Sequence, residues 1–91
     1  MTKLTDAELA DAIAILPGWK VEDDQLTKTY EFGTYLSGVD FAVELANEAE
    51  SRDHHPDLLI TWRKVKVSLS THSEGGITEK DTSLASFAEG L

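Results

Sequence analysis

The sequence predicts an α+β fold in the order α-β-β-α-β-β-α, one four-stranded antiparallel sheet with three helices on one face. Two observations carry it. Capping-box patterns at Thr5-Asp6-Ala7-Glu8 and at Thr78-Glu79-Lys80-Asp81 each lead into apolar residues at helical spacing. Between them lie two pairs of short period-2 runs, separated by a third helical stretch. Strands paired through hairpins, with helices between the pairs, suit one antiparallel sheet whose helices segregate to a single face.

The first helix starts at Thr5, with Glu8 reaching back to the cap and Leu4 placed to staple against Leu9. Leu9, Ala12, Ile13 and Leu16 form a narrow stripe, and Pro17-Gly18 stops the helix. Trp19-Lys20-Val21-Glu22 and Leu26-Thr27-Lys28-Thr29-Tyr30-Glu31-Phe32 follow as a hairpin joined by Asp23-Asp24-Gln25, with Leu26, Tyr30 and Phe32 on one face. The second helix begins near Thr34 or Ser37 and runs to about Asp53, with Gly38 costing it roughly 1 kcal/mol against Ala. Its core stripe is expected to be Val39, Val43 and Ala46, with Ala42 and Ala49 beside them. That places Glu50 in the middle of a buried face, with Asp53 and His54 on the same side. Phe41 and Leu45 then make a smaller patch facing away, an expected assembly surface. Pro56 marks the helix end, because proline rarely continues a helix and restricts the residue before it. Leu58-Leu59-Ile60-Thr61-Trp62 and Val65-Lys66-Val67-Ser68-Leu69-Ser70 make the second hairpin, turning near Arg63-Lys64. Gly75-Gly76 is a loop, and Leu84, Phe87, Ala88 and Leu91 form the stripe of the last helix.

A chain of 91 residues is long enough for one domain, residues 1–91, and one modest core. A formal net charge of -9 disfavours a nucleic-acid backbone as partner. The absence of cysteine removes disulfides and thiolate metal sites. The opening Met1-Thr2-Lys3-Leu4-Thr5-Asp6 lacks the apolar core of a signal peptide, and no run approaches the ~18 apolar residues of a membrane span. The expectation is a cytoplasmic protein with no membrane partner.

All three histidines fall in two places, Asp53-His54-His55-Pro56 and Ser70-Thr71-His72. Imidazole titrates near pH ~6.5, so this cluster suits acid-base catalysis, with Glu50 and Asp53 as carboxylates that hold tautomers. Two other readings stay open. The histidines could cap a helix C-terminus, where a cation is favourable, or they could join Glu50 in ligating zinc for a metal-dependent hydrolase. Adjacent histidines must splay apart to meet one ion, which counts against the metal. Trp19 and Trp62 suit core or cleft wall, and no nucleophile-elbow pattern surrounds Ser70 or Ser73.

Glu50, then His54-His55-Pro56, Trp62, Lys64-Val65, Leu69-Ser70-Thr71-His72, Gly76-Ile77-Thr78-Glu79-Lys80-Asp81 and Leu84-Ala85-Ser86-Phe87 together resemble pterin-4a-carbinolamine dehydratase. The likeness reaches back to Gly18-Trp19 and so covers most of the chain. It implies removal of water from 4a-hydroxytetrahydropterin to give quinonoid dihydropterin, in the recycling of tetrahydrobiopterin, with no metal and no cofactor. It also implies a homodimer or homotetramer with a small-molecule pterin as partner. Glu50, His54 and His72 are the matched catalytic positions. Asp53, His54, His55, Ser70, Thr71, His72, Ser73 and Trp19 are the matched substrate-binding ones. At Ser73 the chain departs from the animal members, which carry glutamate, and this bears on side-chain binding there and not on the histidines. A second class of function comes with the resemblance, since animal members also serve as dimerisation cofactors of a homeodomain transcription factor and relatives with degraded sites as assembly factors.

Overall fold

A computed structural model of the chain describes residues 2–91. The order of elements is the expected one: α1 (Asp6–Ala14), β1 (Lys20–Glu22), β2 (Gln25–Glu31), α2 (Tyr35–Ser51), β3 (Asp57–Thr61), β4 (Lys64–Leu69) and α3 (Glu79–Glu89), with a 3-10 turn at His72–Glu74 before α3. The four strands form one antiparallel sheet in the order β1-β2-β4-β3. In this register Leu26 opposes Leu69, Tyr30 opposes Val65 and Leu58 opposes Val67, so the alternate residues of β2, β3 and β4 stack their apolar side chains on one face. Against that face the helices bury Leu45, Ala49, Leu84, Ala85 and Ala88 in a single cluster.

Both capping boxes form. Thr5 N donates to Glu8 Oε1 at 2.9 Å and Glu8 N donates to Thr5 Oγ1 at 3.1 Å, which satisfies two otherwise unpaired helix-end donors. The first hairpin turns tighter than expected. Asp23 and Asp24 alone make the loop, both with left-handed φ (50° and 61°), and Gln25 belongs to β2. Two left-handed residues give the turn type whose twist matches the strands, and Asp tolerates that region better than most residues.

The inward face of α2 is rotated from the expected one, keeping Ala42 and Ala49 inside but replacing Val43 and Ala46 with Phe41 and Leu45. Phe41, Ala42, Leu45 and Ala49 are buried, Val43 is 53% exposed and the Glu50 side chain is 79% exposed. Both stripes are apolar, and the sheet selects the aromatic one: the Phe41 ring centroid lies 4.6 Å from that of Tyr30 and 5.3 Å from that of Phe32. Gly38 lies on the same side. A Cβ there would come within 3.2 Å of the Phe32 ring and 3.3 Å of Val65 Cγ2, so glycine lets the helix approach the sheet. Glu50 is therefore a surface carboxylate, and the face expected to assemble, Phe41 and Leu45, is core.

Candidate active site

α2 ends before Pro56 has any influence. His54 N donates to Ala49 O at 3.0 Å and Asp53 N donates to Glu50 O at 3.1 Å, while Asp53 adopts φ 50°. This is the Schellman arrangement, with Asp53 in the left-handed position that glycine most often fills. The backbone of Asp53 reverses the chain at the helix end, just before His54 and His55.

His54 turns inward. Its side chain is 11% exposed, and its Nε2 lies 2.5 Å from Oδ1 of Asp81, a residue with no exposed surface. The other oxygen of Asp81 accepts from Thr71 Oγ1 at 2.8 Å and from the Thr78 backbone N–H at 2.9 Å. A buried carboxylate is costly unless its lone pairs are met, and here each oxygen has a donor. Thr71 immediately precedes His72 and is the residue from which the 3-10 turn departs. One carboxylate therefore links the two histidine segments. Beside His54, Arg52, Glu79, Lys80 and Ser83 line a cavity of about 290 Å³. His72 is exposed and shares a depression of about 210 Å³ with Ser70, Gly75, Gly76 and the Asp23-Asp24 turn.

His55 turns outward, and its Nε2 lies 2.7 Å from Glu50 Oε1. Both partners are largely exposed, at 57% and 79%. Ser73 is exposed within the 3-10 turn, and Ser70 is half-buried just after β4. Trp19 is not brought to the histidines: it is 3% exposed in the core, lines neither depression, and donates from Nε1 to Glu89 Oε2 at 3.2 Å. Among the described residues, no three His, Asp or Glu side chains gather as a metal ion would need. Asp81 is the site residue that reading the sequence passed over, because as the third residue of α3 it already had a purpose as half of a capping box. Its double use shows only where α3 meets the end of α2.

With this geometry in hand, the chain can be set beside known proteins. Residues 2–91 match the sequence profile of the family described as Pterin 4 alpha carbinolamine dehydratase. The chain belongs to that family. A protein of Mycobacteroides abscessus, provisionally named pterin-4-alpha-carbinolamine dehydratase, is 52% identical over 93% of this chain and 90% of its own length. One of Mycolicibacterium vanbaalenii with the same provisional name is 43% identical over all of this chain and 98% of its own. Among solved structures, the transcriptional coactivator/pterin dehydratase of Brucella melitensis superposes with a TM-score of 0.94 at 33% identity, covering 98% of this chain and 97% of that one. A pterin dehydratase-like RuBisCO assembly factor of the alpha-carboxysome shares the fold at a TM-score of 0.64 and 22% identity, over 79% of this chain and 83% of its own. The dehydratase family thus includes full-length relatives of this chain and a close structural counterpart.

Proposed function

We propose that this chain dehydrates 4a-hydroxytetrahydropterin to quinonoid dihydropterin, acting in tetrahydropterin recycling by histidine acid-base catalysis and without a cofactor. The observation that supports it best is the pairing of histidines with carboxylates inside a chain that matches the family over residues 2–91: His54 against buried Asp81, His55 against Glu50. The reaction breaks the C4a–O bond and removes the proton on N5. The departing hydroxyl leaves as water once an acid protonates it, and a base takes the N5 proton. His54 serves as the acid and His72 as the base, with the exchanged assignment as the alternative. Each positioned proton transfer is typically worth ~10²–10⁴-fold. His55, oriented by Glu50, holds the ring, with Asp53, Ser70, Thr71 and Ser73 supplying polar contacts along the two segments.

The test is turnover of 4a-hydroxytetrahydropterin by purified, chelator-treated protein, followed by the appearance of quinonoid product. Turnover independent of added metal is the expected result, and strict dependence on zinc would replace this reading with the metal-dependent hydrolase. A non-catalytic dimerisation or coactivator role is the second reading, favoured by the uncovered apolar stripe of α2, where Leu36 is 66% and Val43 is 53% exposed. Failure of turnover by a folded protein would favour that role.

A further inference from the structure

The hydrogen bonds around Asp81 have only one consistent direction. Lys80 N–H donates to Thr78 Oγ1 at 3.2 Å, and the Thr78 and Thr71 hydroxyls lie 2.8 Å apart. Thr71 Oγ1 lies 2.8 Å from Asp81 Oδ2, so the Thr71 hydroxyl donates to the carboxylate and the Thr78 hydroxyl donates to Thr71. Asp81 Oδ2 also takes the Thr78 backbone N–H. A carboxylate can only accept, so at Oδ1 it is His54 Nε2 that must carry the proton. Neutral His54 is then the Nε2–H tautomer, and Nδ1 is the nitrogen left to exchange a proton with a ligand.

We propose that Asp81 is the positioning residue of this site: it locks His54 in the Nε2–H tautomer and, through Thr71, holds the backbone from which His72 projects. The inference rests on the dehydratase reading for its catalytic consequence, while the tautomer itself does not. Asp81 touches no substrate in this account and acts through the two histidines. It sets their separation because one buried group bonds to both segments and to the N-terminus of α3.

Imidazole nitrogen NMR on the intact chain, at a pH where His54 is neutral, reads the tautomer directly. The expected spectrum has His54 protonated at Nε2. In Asp81→Asn the amide oxygen stays with the Thr78 backbone N–H, so the NH₂ group faces His54 and forces the Nδ1–H tautomer. That variant should lose at least about 10²-fold in kcat with KM little changed, the signature of a lost proton transfer. Thr78→Val, which removes the cap hydroxyl without touching His54, should melt at a lower temperature yet keep the Nε2–H tautomer and kcat. Finding His54 as Nδ1–H in the unsubstituted chain would overturn the proposal even if Asp81→Asn failed to fold. Undiminished kcat in folded Asp81→Asn would overturn it equally. A chain with the expected tautomer but no pterin turnover would uphold the lock and sink the dehydratase reading instead.

Discussion

Two carboxylates of opposite character hold the adjacent histidines, Glu50 in the open against His55 and Asp81 wholly enclosed against His54. An exposed pair contributes about 0–1 kcal/mol, so Glu50→Gln should leave the thermal midpoint unchanged while lowering kcat/KM several-fold through a less ordered His55. A marked drop in melting temperature with full activity would assign Glu50 to structure. The histidines differ in the same sense. His72→Ala should lower kcat by about 10²-fold or more and leave stability alone, since His72 is exposed. His54→Ala should lower kcat comparably and also cost about 1–3 kcal/mol in a denaturant melt, because it strips a donor from a buried acceptor. Equal stability of the two variants would contradict the burial of the His54–Asp81 pair. The histidines themselves were legible in the sequence by their scarcity and grouping. Their carboxylate partners were less so: Glu50 was legible as a candidate five residues from His55, whereas the contact of His54 with Asp81 spans 27 positions.

At the scale of elements, α3 is anchored at both ends, by Asp81 at its start to His54 after α2 and Thr71 after β4, and by Glu89 in its last turn to β2. Glu89 accepts from Lys28 Nζ at 2.8 Å, from Trp19 Nε1 at 3.2 Å and from the Tyr30 hydroxyl, and Lys28 also donates to Pro17 O at 2.6 Å. Burial alone would push the Glu89 carboxyl up, but the hydrogen bonds from Lys28, Tyr30 and Trp19, with the Lys28 charge, together outweigh it and hold it below the ordinary range. Burial, then the bond to Glu89 and its charge, push the Tyr30 hydroxyl upward. A carboxyl depressed in the folded state stabilises the fold above its unfolded value, about 4.3, and that contribution is lost as pH falls through the folded value. The melting temperature should therefore fall more steeply below about pH 4.3 in the unsubstituted chain than in Glu89→Gln, and parallel curves would show that Glu89 has no such linkage. This cluster explains Trp19, which reads in the sequence as core or cleft wall and in the fold is a core residue whose Nε1 helps anchor α3.

For the molecule as a whole, one apolar surface left uncovered lies on α2, where Leu36 joins Val43 of the stripe that the sequence assigns to the core. Leu36 and Val43 are seven residues apart with Val39 between them, a spacing that suits packing against the helix of a second copy. If the homo-oligomer reading holds, Val43→Asp should shift the sedimenting species toward monomer without changing the circular dichroism of the fold, and an unchanged mass would send the interface to the edge strand β3, where Leu59 and the adjoining Trp62 are exposed. The sequence by itself determined the kinds and order of elements, the two capping boxes, the hairpins and the places where histidines cluster. Those features depend on residues within a turn or a strand repeat of one another, so local spacing contains them. Only the tertiary structure decided which face of α2 turns inward, because both faces are apolar and the choice depends on Phe41 fitting the rings of Tyr30 and Phe32 while Gly38 clears Val65. That single rotation carried Glu50 from the core to the surface and made Asp81, arriving from α3, the buried carboxylate of the site.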